Sequence, residues 1–178
     1  MQSSVGRGKT VQAEVILERN LVMELLKTTP EAMVEVVYRK IYLGTGQAAA
    51  YGLNSHVANI IAAMFIATGQ DPAQVVEASM GIVAAEILDD GNLYFSLLLP
   101  SLEIGTTGGG THLPTQKEAL SIMDCYGYYN DKPPGTKSIK FGEIITAAAL
   151  AGEISLCAAL AAGHLASAHE RLGRGKKE

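Results

Sequence analysis

About twenty consecutive positions, residues 144–163, are dominated by Ala, Leu and Ile and carry a single charge, Glu153. A run of that length can span a bilayer, so it is either a membrane helix or the central packing helix of a globular core. A carboxylate at mid-bilayer is costly, alanine is only weakly hydrophobic, and Thr146, Gly152 and Ser155 dilute the run further. The expectation is a buried, Ala-rich packing helix with no membrane partner.

Composition supports a globular reading. The 178 residues suit one domain, and 48% hydrophobic against 18% charged residues can fill a core. Fourteen Lys and Arg against eighteen Asp and Glu leave a net charge of −4, which excludes a general nucleic-acid binder. Cys125 and Cys157 lack CxxC spacing, so no disulfide framework is expected and a reducing, cytoplasmic compartment fits. Residues 1–10 are polar with no apolar stretch, and no secretory leader is expected there.

Along the chain, Val11, Ala13, Val15 and Leu17 alternate with polar residues, which predicts a half-buried strand. Residues 18–27 and 30–39 read as helices broken at Thr28 and Thr29, with Pro30 and Glu31 suited to a first turn. Residues 43–52 are small and Gly-bearing and read as a loop. Asn54 reads as the cap of a helix reaching Ala67 and closed by Gly69, and Asp71-Pro72 starts another. Apolar runs at 81–87 and 93–99 flank a turn at 89–92. A helix from Pro114 to about Met123, a loop at 126–136 and a helix from about Ile139 to about Leu172 follow, ending in a basic tail. No repeat or linker divides the chain. The class is α+β, helix-dominated, with a few strands and a long Ala-rich C-terminal helix.

Several residues could carry chemistry, and each has a plainer reading beside it. Gly108, Gly109 and Gly110 lie between threonines, where bare backbone can approach a phosphate or a ring closely. They match neither GxGxxG nor GxxxxGK[ST], so a nucleotide loop and a plain flexible loop both remain open. Asp71 is a helix cap, a role compatible with catalysis because the helix end fixes the carboxylate. Leu156, Ala159 and Leu160 form one apolar stripe, which is core packing on spacing alone. Lys27, Thr28 and Thr29 could hold a phosphate or simply end a helix. The four histidines show no metal-ligand spacing, and no metal is expected. On a continuous helix His164 and His169 stand about 140° apart.

The residue strings reach further. Gly6-Arg-Gly-Lys9, Leu26-Lys-Thr-Thr29, Glu31-Ala-Met33, Asn54-Ser-His-Val-Ala-Asn59 and Ile66-Ala-Thr-Gly-Gln-Asp-Pro-Ala-Gln74 stand in the first half. Pro100-Ser-Leu-Glu-Ile-Gly105, Gly108-Gly-Gly-Thr111 and residues 150–164 follow. In this order and spacing the chain resembles the catalytic domain of 3-hydroxy-3-methylglutaryl-coenzyme A (HMG-CoA) reductases, in the class shared by archaea and eukaryotes.

That resemblance implies reduction of HMG-CoA to mevalonate and CoA with two NADPH, and residues 1–178 as the C-terminal portion of the large, substrate-binding domain. By resemblance, Asp71 and His169 are catalytic. Leu156, Ala159 and Leu160 meet the methylglutaryl group, Asn59 is a polar contact, and Lys27, Thr28, Thr29 and Lys40 meet CoA. Thr107, Gly108, Gly109 and Gly110 meet NADPH. The family's catalytic Lys and Glu and its small NADPH-binding domain have no match in these residues, so the chain alone is expected to be inactive. It is expected to act as a homodimer or higher homo-oligomer, or with a complementary N-terminal half. The alternatives are a non-catalytic paralogue that only dimerises with a complete reductase and a generic nucleotide-binding module. A family segment resembling SAMAGS is replaced by Thr45-Gly-Gln-Ala-Ala-Ala50, and Gly175 stands where some members carry a regulatory serine.

The resemblance gives His169 a specific task. CoA leaves as a thiolate, and a thiolate whose thiol has a pKa of about 8.5 accepts a proton readily from an imidazolium of pKa about 6.5. With the upstream motifs supplied, His169→Gln is expected to slow HMG-CoA reduction about 100-fold or more while sparing free mevaldehyde, which releases no thiolate. Steady-state rates on the two substrates decide it. Equal loss on both, or the same selective defect in His164→Gln, assigns the role elsewhere.

Overall fold

The computed structural model describes residues 7–163. Strand β1 (Lys9–Leu17) alternates half-buried and exposed positions along its whole length, as the period-two pattern predicts. It forms one edge of a three-stranded antiparallel sheet of order β1-β3-β2, with β2 (Ile82–Ile87) on the other edge and β3 (Leu93–Leu102) between them. In register, Val15 faces Phe95, Val11 faces Leu99, and Val83 faces Leu97 from the opposite side. Leu93, Phe95, Leu97 and Leu99 are all fully buried and form the floor of the core.

The predicted strand stops at Leu99, but β3 runs on to Leu102. Pro100 has no N–H to give the ladder, and the register slips by one residue opposite it, between Lys9 and Val11. This bulge lets pairing resume beyond the proline, and Thr10 Oγ1 donates to Pro100 O at 3.1 Å.

The helices cover one face of the sheet. Helix α1 (Arg19–Leu25) ends before the break at Thr28-Thr29, and Thr29 caps α2 (Pro30–Val36) by accepting from Ala32 N at 3.2 Å. The chain does not loop after Arg39. It continues as a π-helix (Val37–Gly44) and a short α3 (Thr45–Gln47), which corrects the first half of the predicted loop at 43–52, while 48–52 form the loop as expected. Tertiary contacts override the small-residue composition there: Val37 and Ile41 are buried, and Tyr42 Oη donates to Val83 O at 2.7 Å.

Helix α4 (Val57–Thr68) begins three residues after Asn54 and closes at Gly69. Asn54 still accepts from Val57 N at 3.2 Å, while its amide donates to Ser79 O and Gly81 O. Asp71 caps a short 3₁₀ turn (Pro72–Gln74) that leads into α5 (Val75–Ala78). Helix α6 (Pro114–Ile122) follows the glycine loop, and the 126–135 loop is fastened through Asp124, which meets Tyr129 Oη at 2.5 Å and Lys140 Nζ at 3.0 Å.

Helix α7 (Thr136–Ala161) is the Ala-rich element. It has the length and mean hydropathy of a membrane span. Yet Phe141, Ile145, Ala149, Cys157 and Ala158 are buried in the same core as Phe65 and Phe95, which is the packing expected of a core helix. Within the described residues α7 ends at Ala161, and Gly163 follows with φ +70°; the rest of the predicted stretch to Leu172 lies outside the described residues. The 140° separation of His164 and His169 assumed an unbroken helix and does not follow from α7. Both histidines lie outside the described residues.

Phe141 is fully buried where α7 crosses the sheet. Phe141→Ala is expected to cost about 3–5 kcal/mol, read as a lower urea midpoint with unchanged slope. A loss below about 1 kcal/mol would mean α7 is not seated by that ring.

Candidate functional site

Two hollows, at opposite ends of α4, hold six of the candidate residues: Asp71, Thr107, Gly108 and Gly109 in one, Lys40 and Leu160 in the other. At its C-terminal end Gly69, Gln70 and Asp71 face the glycine loop across a cleft of about 470 Å³, closed at its rim by Arg7, Glu103 and Ile104. Asp71 is exposed there, and its Oδ1 accepts from Ala73 N at 3.0 Å. The cap and the cleft-facing position coexist, as the sequence reading allows. Thr107, Gly108 and Gly109 line the same cleft, and Gly110 supports it from behind.

The two loops are interlocked through backbone. A Cβ on Gly69 would stand 2.4 Å from Gly110 C and O, and a Cβ on Gly110 would stand 2.8 Å from Gly69 O. Gln70, which sequence reasoning missed, completes the lock: its Oε1 accepts from Gly105 N at 2.8 Å and its Nε2 donates to Thr68 O at 3.1 Å. Thr111 Oγ1 donates to Gly108 O at 2.6 Å and steadies the loop's far side. Gly108 and Gly109 are different. They have φ of +76° and +54°, and nothing lies within 4 Å of where a Cβ would be. Their bare backbone is open to the cleft, where a phosphate or a ring can approach it closely.

The second hollow, about 260 Å³, is lined by Glu35, Val36, Arg39, Lys40 and Leu160. It brings Lys40 beside the apolar stripe on which Leu156, Ala159 and Leu160 are all half-buried. Lys40 Nζ donates to Ser55 Oγ at 3.2 Å, and Asn59 is exposed on the first turn of α4. Lys27, Thr28 and Thr29 occupy the α1–α2 turn and line neither hollow; Lys27 sits at φ +57° and Thr29 is engaged as a cap. His169 lies outside the described residues. A larger hollow of about 600 Å³ between the 126–135 loop and the start of α7 includes Thr107 but no other candidate. The clefts that hold Asp71 and Lys40 together form the candidate site.

Next to Ser55, which Lys40 engages, lies Glu153, which sequence reasoning used only to argue against a membrane. Glu153 has no solvent exposure, and its carboxylate accepts from Ser55 N at 2.8 Å, His56 N at 2.7 Å and His56 Nδ1 at 2.7 Å. The available signal was a lone charge in an apolar helix, which demands a partner wherever it is buried. Next to it, burial and then the Glu153 charge push the Cys157 thiol up to about 12. It therefore stays protonated and inert as a nucleophile.

The Gly69–Gly110 contact yields a direct test. Gly69→Ala adds left-handed strain and a backbone overlap, and is expected to destabilise the chain by about 2–5 kcal/mol. Gly109→Ala, at φ +54° with nothing within 4 Å of its Cβ, should cost only the left-handed penalty of about 1–2 kcal/mol. Thermal unfolding of both variants checks the order, and equal losses would contradict the interlock.

The family model for hydroxymethylglutaryl-coenzyme A reductase matches residues 2–174. A 3-hydroxy-3-methylglutaryl-coenzyme A reductase of Pyrococcus abyssi is 56% identical over 170 residues, 96% of this chain and 41% of the relative. The reductase of Methanocaldococcus jannaschii is 53% identical over 95% of this chain and 40% of its own length. A reductase of Dictyostelium discoideum, named number 2, is 45% identical over 95% of this chain and 32% of its own length. The chain thus spans about two fifths of the archaeal relatives it matches. With the glycine loop, the Asp71 cleft and the Lys40 hollow arranged as described, this chain belongs to the hydroxymethylglutaryl-coenzyme A reductase family.

Proposed function

We propose that this chain supplies the acyl-CoA side and the glycine-loop side of an enzyme that reduces HMG-CoA to mevalonate and CoA with two NADPH. The observation that carries the reading is the single cleft in which Asp71 faces the open backbone of Gly108 and Gly109. In this reading residues 1–178 are the C-terminal portion of the large, substrate-binding domain. NADPH, when bound, supplies hydride, and Thr107, Gly108, Gly109 and Gly110 hold it at the cleft.

Each residue then has a defined task. Asp71 is catalytic: a carboxylate fixed by its own cap, it holds a catalytic cation from another part of the enzyme in place at the reacting carbonyl. Lys40 and the turn of Lys27, Thr28 and Thr29 meet the CoA portion, while Asn59, Leu156, Ala159 and Leu160 receive the methylglutaryl group. His169 donates a proton to the CoA sulfur as the C–S bond of the hemithioacetal breaks and the electron pair leaves on sulfur. The assembly is a homodimer or higher homo-oligomer, or a pairing with a complementary N-terminal half. Large apolar side chains left in solvent, Ile66 at 64% and Ile122 at 82% exposure, support a covering partner. A cytoplasmic location fits the free, buried Cys125 and Cys157.

The test is NADPH oxidation followed by cofactor absorbance with HMG-CoA. The chain alone is expected to show no turnover. Joined to the remaining three fifths of the Pyrococcus abyssi relative it is expected to turn over, and failure of that chimaera would overturn the reading. In the chimaera Asp71→Asn is expected to keep its melting temperature, because Asn caps as well as Asp, yet lose activity about 100-fold or more. Parallel loss of stability and activity would make Asp71 structural.

A further inference from the structure

Among the described residues Glu153 is the one charged side chain that is fully buried. Burying a carboxylate costs several kcal/mol, and a well-packed apolar replacement is often more stable. Its retention therefore calls for a role beyond stability. Capping alone does not account for it, because Asn54 already stands in sequence where a local cap belongs and takes Val57 N. The geometry around the carboxylate is more telling. A carboxylate can only accept, so the ring nitrogen of His56 that faces it is assigned the proton. Glu153 thus grips Ser55 and His56 by two backbone N–H groups and one ring.

Three elements meet at this grip, and each carries a proposed acyl-CoA contact. Ser55 Oγ accepts from Lys40 Nζ of the π-helix. His56 O accepts from Asn59 N at 2.9 Å, one turn into α4. Leu156 and Leu160 follow Glu153 on α7 by three and seven residues, which puts them on its side of the helix. The His56 ring is also wedged against α7 itself: a Cβ on Gly152 would lie 2.9 Å from its Cε1.

We propose that Glu153 is a positioning residue for the acyl-CoA subsite, fixing the start of α4 and the His56 ring against α7 so that Lys40, Asn59 and Leu160 keep one mutual geometry. This rests on the acyl-CoA reading above, and its test separates the two. In the full 178-residue chain, hydrogen exchange at the Ser55 and His56 amides is expected to be about tenfold or more faster in Glu153→Gln, with Phe95 and Leu97 amides unchanged. Unchanged protection at Ser55 and His56 would sink the inference whatever the enzyme does.

In the Pyrococcus chimaera, Glu153→Gln is expected to raise KM for HMG-CoA about tenfold or more while KM for NADPH stays within about twofold. A merely structural role would lower the folded fraction, and with it the apparent kcat, leaving both KM values alone; that result overturns the proposal. Gly152→Ala, which pushes the ring and spares the carboxylate, should raise the HMG-CoA KM in the same direction and covers the case where Glu153→Gln fails to fold. An inactive unsubstituted chimaera overturns the reductase reading and the ligand assigned to Glu153 with it.

Discussion

The carboxylate of Glu153 joins the longest helix of the fold to the start of α4, and most of the site hangs from that junction. It satisfies two N–H groups that α4 cannot satisfy for itself, and it does so where no water reaches. An ion-accepting group inside the core is effective only while every one of its hydrogen bonds is made. The local geometry of α4, α7 and the π-helix is therefore all or none at this point. Burial, and after it the same carboxylate, raises the neighbouring Cys157 thiol, so a nucleophilic residue type is held silent by its surroundings.

At its other end α4 delivers Gly69, Gln70 and Asp71 into the glycine loop. The helix has twelve residues, a rise of about 18 Å, which sets the separation of the two hollows. A ligand engaging both must be extended, as a CoA thioester meeting a dinucleotide would be. Because Gly69 and Gly110 meet through backbone and Gln70 holds Gly105 beside them, the position of Asp71 and the path of the glycine loop are fixed together.

Much of this was readable from residue order. The alternation in β1, the hairpin of β2 and β3, the first-turn Pro30, the Asp71 cap and the Gly69 stop are local rules obeyed locally. What escaped was decided by distant partners. Gly44 and Gly46 look like loop residues until Val37, Ile41 and Tyr42 are packed against the sheet. Pro100 looks like a strand end until β1 supplies a bulge. Asn54 looks like the first cap until Glu153, almost a hundred residues later, claims the next two N–H groups. For the site, the residue strings named Asp71, the glycine loop and Lys40, while Gln70, His56 and Glu153 went unassigned because their work is done through contacts that spacing does not encode.

The central place of β3 has a consequence for how the chain reaches this state. β1 pairs with β3 across some eighty residues, Val15 with Phe95 and Val11 with Leu99, whereas β2 and β3 are joined by a short turn. Closing the long loop carries an entropic cost that the hairpin avoids, so the hairpin of β2 and β3 is the cheaper pairing to close, and β3 offers β1 its other edge. During synthesis β1 emerges early and has no strand to pair with until residue 102 is out. For that interval its apolar alternation is an exposed edge. Helix α7, which packs across β1, is made later still, so the sheet is finished and covered only as the last described element arrives.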